Sequence, residues 1–192
     1  ITNNEYRQFV NWVRDSIARR ILGDAGVEGY ELIEEDEFGN FLQPARIDWR
    51  TKIRWDDSDI REQSLLAEMY LPEHERLDGR REFDSRKFKF QYQVLDLQAA
   101  SSKANRQKNK NNTGEFIIPQ GMTDRERFVE DITVSIFPDT LCWIHDYTYS
   151  FNDPYTQNYF HHVAFDDYPV VGINWKQAVA FTKWRSRMMN AF

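Results

Sequence analysis

Histidine and carboxylate side chains near the C-terminal end of the chain suggest a metal site. The group consists of His145, Asp146, His161, His162, Asp166 and Asp167. Adjacent residues of an extended segment point to opposite sides, so His161 and His162 do not readily share one ion. The sequence has no H-x-x-x-H or C-x-x-C spacing of the kind that binds zinc. Hydrogen-bonded histidines in an aromatic loop are therefore the preferred interpretation, and we expect no metal and no cofactor.

Other patterns that carry chemistry are missing as well. The sequence contains no Gly-rich phosphate loop, G-x-S-x-G elbow or H-E-x-x-H pair. Cys142 is the single cysteine, which excludes an internal disulfide. It lies between Leu141 and Trp143, and this setting favours a buried apolar role over a nucleophile. The residues themselves therefore predict no catalytic group.

Composition predicts one globular domain. The chain has 192 residues, of which 41% are hydrophobic and 15% aromatic. A net charge of −6 argues against nucleic acid as a partner, because phosphate binding needs a basic face. The sequence contains no transmembrane run and no signal peptide. It begins inside a motif and stops within a predicted helix, which indicates a piece of a longer chain.

The first element that the sequence predicts is an amphipathic helix over residues 3–22. Thr2 and Glu5 have the spacing of a capping box, and Gly23 is expected to end the helix. Apolar residues follow at three- and four-residue spacing: Tyr6, Phe9, Val10, Val13, Ile17 and Ile21. The polar side carries Arg7, Arg14, Arg19 and Arg20. These arginines form either a solvated face or a contact for an acidic partner.

A second helix is predicted after residue 174, following an extended apolar run over residues 169–173. Gly172 would allow a turn or a close approach of the backbone, and Asn174 would cap the helix. The helix is expected to be a core helix with two adjoining apolar faces. One face contains Trp175, Ala178, Val179 and Thr182, and the other contains Phe181, Trp184 and Met188.

The interval between these helices predicts short strands and long connections. Alternation of side chains predicts strands over 47–55, 84–98 and 132–136, with a further extended segment over 115–119. A helix is expected from a cap at Asp57 or Ser58 to about Tyr70. Loops are expected at the acidic stretch 28–37, at a turn over 39–40, at a flexible segment 101–114, and over 143–165 with a turn at 152–154. The predicted class is α+β.

Two segments of the sequence resemble a known superfamily. Residues 1–9, ITNNEYRQF, and residues 169–184, PVVGINWKQAVAFTKW, are similar to two signatures of the formylglycine-generating-enzyme (sulfatase-modifying factor) superfamily. Together with residues 12–19 and 137–143, they resemble most closely its GldK/PorK family of gliding-motility and type IX secretion lipoproteins. The resemblance implies a formylglycine-generating-enzyme-like fold, a variant of the C-type-lectin-like fold. The fold would be incomplete in this chain, with residues 28–130 as a family-specific elaboration.

The resemblance implies a structural function. Formylglycine-generating enzymes hold copper with two cysteines that follow the second signature, and Cys142 precedes it, so no catalytic residue can be assigned by similarity. GldK/PorK proteins are outer-membrane lipoproteins that form a large periplasmic ring with GldN/PorN. We therefore expect a non-catalytic, homo-oligomeric ring component of the type IX secretion system that also supports gliding in motile species. Its lipid anchor would lie outside this chain.

Two alternatives remain at this stage. One is an active copper-dependent oxidase whose cysteines lie outside the chain, and the other is a module that binds peptidoglycan or another glycan. Aromatic side chains are favoured at protein interfaces. Among those of the predicted aromatic loop, the expected partner contacts are Tyr147, Tyr149, Tyr155 and Tyr159.

Overall fold

The chain has a mixed α+β structure, as the sequence predicts. The computed structural model describes residues 1–55, 59–101, 128–145, 149 and 151–190, without the side chains of residues 43 and 44. The elements in chain order are α1 (Asn3–Asp24), β1 (Leu32–Glu35), β2 (Phe41–Ile47), α2 (Ile60–Leu66), β3 (Lys89–Leu95), α3 (Leu97–Ser101), β4 (Val129–Ser135), α4 (Cys142–His145), α5 (Asp153–Asn158) and α6 (Trp175–Asn190). No helix in the described ranges is both long and apolar enough to cross a membrane.

The contacts divide the chain into two compact units. The first consists of Ile1–Lys89 and Ser135–Phe192, and the second of Phe90–Val134. In the second unit β3 pairs with β4, and Phe90 and Tyr92 are buried on one face as the alternation predicts. The predicted flexible segment 101–114, from residue 102 onward, and the extended segment 115–119 lie outside the described residues.

Helix α1 begins as predicted and ends later. The Thr2 hydroxyl accepts from the Glu5 N–H, and the Glu5 carboxylate accepts from the Thr2 N–H, which completes the capping box. The prediction that Gly23 ends the helix is wrong, because α1 continues to Asp24 and the left-handed residue is Gly26, at φ 65°. Gly23 instead allows the backbone at Tyr30 to come close to the helix, because a Cβ at residue 23 would lie 2.6 Å from the Tyr30 carbonyl oxygen.

Strands β1 and β2 form an antiparallel hairpin in which Leu32 faces Ile47. The Asp36 carboxylate stabilises the turn between the two strands by accepting hydrogen bonds from the Phe38 and Asn40 N–H groups at 2.9 and 2.8 Å. The turn at residues 39–40 is therefore confirmed, although part of the acidic stretch is a strand rather than a loop.

The predicted strand over residues 47–55 is wrong. Strand β2 ends at Ile47, and Trp49 leaves the hairpin to stack on Trp12 of α1, with 5.3 Å between ring centroids. Arg19 covers the Trp49 ring at 4.5 Å. An aromatic stacking contact with the helix takes the place of the ladder hydrogen bonds that alternation alone suggested.

Helix α2 is capped by Asp59, whose carboxylate accepts from the Ile60 N–H at 2.7 Å. Residues 57 and 58, the predicted caps, lie outside the described residues. After Leu66 a 3-10 turn leads to Tyr70, which pairs with Phe83 in an isolated bridge. The helical segment thus ends near the predicted boundary.

Three further predictions need correction. The loop over 143–165 contains helices α4 and α5 and a 3-10 turn, and Pro154 stands in the first turn of α5 rather than in a loop. Cys142 is half-buried rather than buried. Helix α6 buries Gln177, Ala180 and Phe181, whereas Trp175 of the first predicted face is 81% exposed.

Candidate functional site

The two signature segments, residues 1–9 and 169–184, are joined by backbone hydrogen bonds. The Val170 N–H donates to the Ile1 carbonyl at 3.1 Å, and the Asn3 N–H donates to the Tyr168 carbonyl at 2.9 Å. Thr2 and Pro169 form the bridge between them. We call this region, with the aromatic cluster described below, the signature junction.

Asn3 extends the junction through its side chain. Asn3 is fully buried, and its side-chain amide nitrogen donates to the carbonyl oxygens of Tyr159 and Phe165 at 3.2 and 2.9 Å. If a buried amide loses such partners, the fold is destabilised by the full desolvation free energy of that polar group. Asn3 therefore attaches the start of α1 to the segment that precedes the second signature.

An aromatic cluster lies under the junction. Tyr6 stacks on Phe181 with 5.8 Å between ring centroids, and Phe9 contacts Trp184 at 5.2 Å. The Tyr6 hydroxyl donates to the Ile136 carbonyl at 2.8 Å, and burial raises the pKa of this hydroxyl. Tyr6 and Phe9 of the first signature thus pack with Phe181 and Trp184 of the second in one cluster.

The start of α6 is fixed from two sides. The Gln177 N–H donates to the Asn174 side-chain oxygen at 3.0 Å, and the Asn174 N–H donates to the Gln177 side chain at 2.7 Å, so the predicted cap is confirmed. The Gln177 amide also donates to the carbonyls of Ser135 and Phe137. Gly172, at φ 77°, lies so close to Asp139 that a Cβ would clash with its carbonyl oxygen, as the predicted close approach requires.

The predicted partner-contact tyrosines lie in different environments. Tyr149 is 95% exposed and Tyr155 is 41% exposed. Tyr159 is 9% exposed, and its hydroxyl donates to the Pro169 carbonyl at 2.7 Å, so it belongs to the core and is withdrawn as a contact residue. Tyr147 lies outside the described residues.

Three residues of the metal hypothesis, His161, His162 and Asp166, have structural partners. His161 lies against Phe137 and Phe160, and burial, followed by the charge of Arg7, lowers the pKa of its imidazole. The His162 ring accepts from the Ala164 N–H at 3.1 Å. Asp166 forms an ion pair with Arg7. Among the described residues no three His, Cys, Asp or Glu side chains are grouped to hold a metal, while Asp146 lies outside them.

The arginines of α1 separate into two kinds. Arg19 is 5% exposed, donates to the Thr51 carbonyl at 2.9 Å, and has its pKa lowered by burial. It is therefore a packing residue, and its place on a solvated face is a wrong prediction. Arg7 and Arg14 instead line an open cavity of about 950 Å³.

This cavity, which we call the arginine groove, combines positive charge with aromatic walls. Its arginines are Arg7, Arg14, Arg80, Arg81 and Arg86. Its aromatic residues include Phe83, Phe88, Phe137 and Phe160. The lining also contains two carboxylates, Glu82 and Asp84, and Arg7, Arg14 and Arg86 form ion pairs, so the positive charge that the groove can offer to a ligand lies at Arg80 and Arg81.

Two arginines at one side of the groove are held by the protein. Arg7 donates to the carbonyls of Phe160 and His161 at 3.0 and 2.9 Å in addition to its ion pair with Asp166. The Arg14 guanidinium lies 4.7 Å from the Trp55 ring centroid and pairs with Asp15 at 2.8 Å. These contacts fix the positions of the two guanidinium groups.

One rim of the groove is formed by Arg80, Arg81 and Arg86, which belong to the segment between α2 and β3. Arg86 binds Asp84 at 2.7 Å, and this hydrogen bond is the main cause that lowers the Asp84 pKa. Arg81 lies over the Tyr70 ring at 4.0 Å, and Arg80 is exposed. Within the described part of the chain, neither Arg80 nor Arg81 pairs with a carboxylate. A guanidinium offers five donors in a planar fork, so this rim can bind a carboxylate-bearing ligand.

The sequence reasoning assigned no role to the rim arginines. Residues 71–87 have no helical or alternating periodicity and fold as short 3-10 turns. The available signal was the adjacent pair Arg80 and Arg81 directly after a turn, where Asp78 and Gly79 both have positive φ.

No family model matches the chain, and no curated protein or solved structure is significantly similar to it. The function is therefore inferred from the residues of the chain and their geometry.

Proposed function

We propose that the chain is a non-catalytic structural component of the periplasmic ring of the type IX secretion system, of the GldK/PorK type. Its domain would have the formylglycine-generating-enzyme-like fold and belong to a lipoprotein on the periplasmic face of the outer membrane. Its partner would be a GldN/PorN-type protein, and in motile species the ring would also support gliding.

The signature junction is the observation that supports this proposal best. The two signatures that suggest the superfamily are joined to each other by backbone hydrogen bonds around Thr2 and Pro169. The side chains of Asn3 and Gln177 attach them to the backbone of residues 159–165 and 135–137. Their aromatic rings form the core. Residues used in this way build a scaffold, and a scaffold whose surfaces bind neighbours is what a ring component requires.

Exposed aromatic and basic residues add support. Tyr149 and Tyr155 project from the region before the second signature, and the arginine groove lies in the same compact unit. Tyrosine and arginine are enriched at positions that dominate binding energy in protein interfaces. Such surfaces suit a protein that acts by assembly rather than turnover.

Gentle detergent extraction of the native protein, followed by affinity purification, mass spectrometry and particle imaging, tests the proposal. We expect ring-shaped particles that contain the protein together with a GldN/PorN-type partner. A matched pair of variants, Tyr149→Ser on the exposed surface and Thr182→Ser on an exposed position of α6, separates contact from general surface change. Loss of the partner is expected for Tyr149→Ser alone.

A lone monomer in the extract would contradict the proposal. Copper-dependent oxidation of a cysteine peptide by the extracted protein would contradict its non-catalytic part.

A further inference from the structure

The hairpin of β1 and β2 exposes carboxylates and aromatic rings side by side. Glu34, Glu35 and Glu37 are exposed, and Phe38 and Phe41 are 87% and 75% exposed. We call residues 34–41 the acidic hairpin tip. Two phenylalanines this exposed on one short hairpin offer another molecule an apolar contact next to negative charges.

The hairpin tip keeps its shape through its own bonds. Asp36 accepts hydrogen bonds from the backbone of Phe38 and from the backbone and side chain of Asn40. The pKa of Asp36 is lowered, chiefly by the hydrogen bond from the Asn40 side chain. The neighbouring glutamates and phenylalanines are not needed for the turn, and a preformed tip loses little entropy on binding.

The arginine groove has the complementary chemistry. Its rim provides Arg80 and Arg81, which pair with no carboxylate in the described residues, and its walls provide the half-buried aromatic rings of Phe83 and Phe137. At about 950 Å³ it is large enough to accept side chains from a hairpin tip. Glutamates at the rim and a phenylalanine against the aromatic wall would satisfy both kinds of group.

We infer that the acidic hairpin tip of one copy docks into the arginine groove of a second copy. This contact deepens the structural function proposed above, on which its biological meaning rests. The tip and the groove are different surfaces of the same chain, so the contact is head to tail and a bound pair still presents one free tip, on one copy, and one free groove, on the other. Such a contact extends into rings or filaments rather than stopping at a dimer.

Three matched double variants of the purified chain test the docking. The groove variant is Arg80→Gln with Arg81→Gln, and the tip variant is Glu35→Gln with Glu37→Gln. The control, Glu130→Gln with Asp131→Asn, neutralises two exposed carboxylates on β4. All six positions are exposed, so the folds should survive, and circular dichroism and thermal melting verify this. Sedimentation velocity over a range of protein concentrations then measures self-association.

The wild type and the control are expected to grow beyond dimers with concentration, and to do so less in high salt, which screens the ion pairs. The groove and tip variants should each self-associate about tenfold or more weakly, which corresponds to about 1.4 kcal/mol or more. An equimolar mixture of the two variants should form dimers and stop there, because only one intact tip and one intact groove remain per pair.

A wild type that stays monomeric at all concentrations overturns the inference. So does association that the groove and tip variants leave unchanged, or a mixture that grows past dimers. These results leave the proposed ring function testable, because that proposal depends on the partner found in native particles.

Discussion

The signature junction and the arginine groove lie in the same compact unit and treat polar groups in opposite ways. At the junction, Asn3 and Gln177 direct their amides at backbone carbonyls, and their residues are 0% and 6% exposed. In the groove, Arg80 is exposed and Arg81 rests on an aromatic ring. The polar side chains of the junction form hydrogen bonds inside the protein, whereas those of Arg80 and Arg81 remain available to a ligand at the surface.

The residues of the junction are needed for folding, whereas the arginines at the groove rim are available for binding. Removing a junction contact leaves a buried group unsatisfied, which is costly. Neutralising a surface arginine that has no carboxylate partner changes little, because water already solvates it. Stability should therefore depend strongly on the junction and weakly on the groove rim.

The largest loss of stability is expected from Phe9→Ala. Phe9 is fully buried between Tyr6, Phe181 and Trp184, so truncation opens a cavity and should lower the free energy of unfolding by about 3–5 kcal/mol. Tyr6→Phe, the control, keeps the ring and removes only the hydrogen bond to Ile136, which should cost about 1 kcal/mol. Urea denaturation measures both. Equal effects would mean that the ring packing is not what holds the junction.

Asn3→Asp should destabilise by about 3 kcal/mol. The new carboxylate would be fully buried and would face the carbonyl oxygens of Tyr159 and Phe165 without a proton to donate. The neighbour Asn4 is exposed in the first turn of α1, so Asn4→Asp should stay within about 0.5 kcal/mol of the wild type. Thermal melting of the two variants at neutral pH distinguishes them, and equal melting temperatures would contradict the buried amide contacts.

Gly172→Ala and Gly39→Ala separate backbone strain from close approach. Both glycines have positive φ, at 77° and 79°, and should share a cost of about 1–2 kcal/mol. Only at Gly172 would the Cβ clash with Asp139, which should add about 1–3 kcal/mol. Chemical denaturation gives the difference. Similar losses at the two sites would show that residues 139 and 172 can move apart without cost.

Arg7→Gln and Arg80→Gln compare the stability contributions of a groove arginine that forms an ion pair and of one that pairs with no described carboxylate. Arg7→Gln should lower the free energy of unfolding by about 1–2 kcal/mol, because Arg7 binds Asp166 and two backbone carbonyls. Arg80→Gln should change stability by less than about 0.5 kcal/mol. Urea denaturation at constant low ionic strength measures both. A clear loss for Arg80→Gln would mean that its guanidinium has a structural role after all.

The smallest effect concerns the pH dependence of the capping box. The hydrogen bond from the Thr2 N–H is the main cause that lowers the Glu5 pKa below its usual 4.5. Because the folded-state pKa is depressed, the carboxylate stabilises the fold above that pH, and this contribution is lost as the pH falls through the folded-state value. Glu5→Gln should therefore lose less stability than the wild type on acidification below pH 4.5. Identical acid titrations of the two proteins would contradict the capping contribution.

Local signals in the sequence predicted where the two long helices begin better than they predicted the tertiary contacts of these helices. The caps at Thr2 and Asn174 and the close approach at Gly172 follow from short-range chemistry, and the structure confirms all three. The strand expected at residues 47–55 failed because Trp49 packs on Trp12, a contact between distant residues. The solvated position expected for Arg19 failed because Trp49 and Thr51 cover it, again through a tertiary contact.

The candidate site was predictable only in part. Arg7 and Arg14 could be placed on the polar side of α1 from periodicity, with an acidic partner as one interpretation. Their meeting with Arg80 and Arg81 depends on the irregular segment 71–87, for which no periodic pattern exists. The burial of Tyr159 likewise follows from its hydrogen bond to Pro169 and could not be read from its position in an aromatic stretch.

Hydrogen–deuterium exchange measured by mass spectrometry at low and high protein concentration tests the contrast between the two regions most directly. The account predicts that peptides of the signature junction, around residues 3–9 and 175–184, are strongly protected at every concentration. Peptides of the acidic hairpin tip and of residues 80–88 should gain protection only when the concentration rises. Exchange at the tip and groove that is independent of concentration, or a junction that exchanges as fast as the tip, would contradict it.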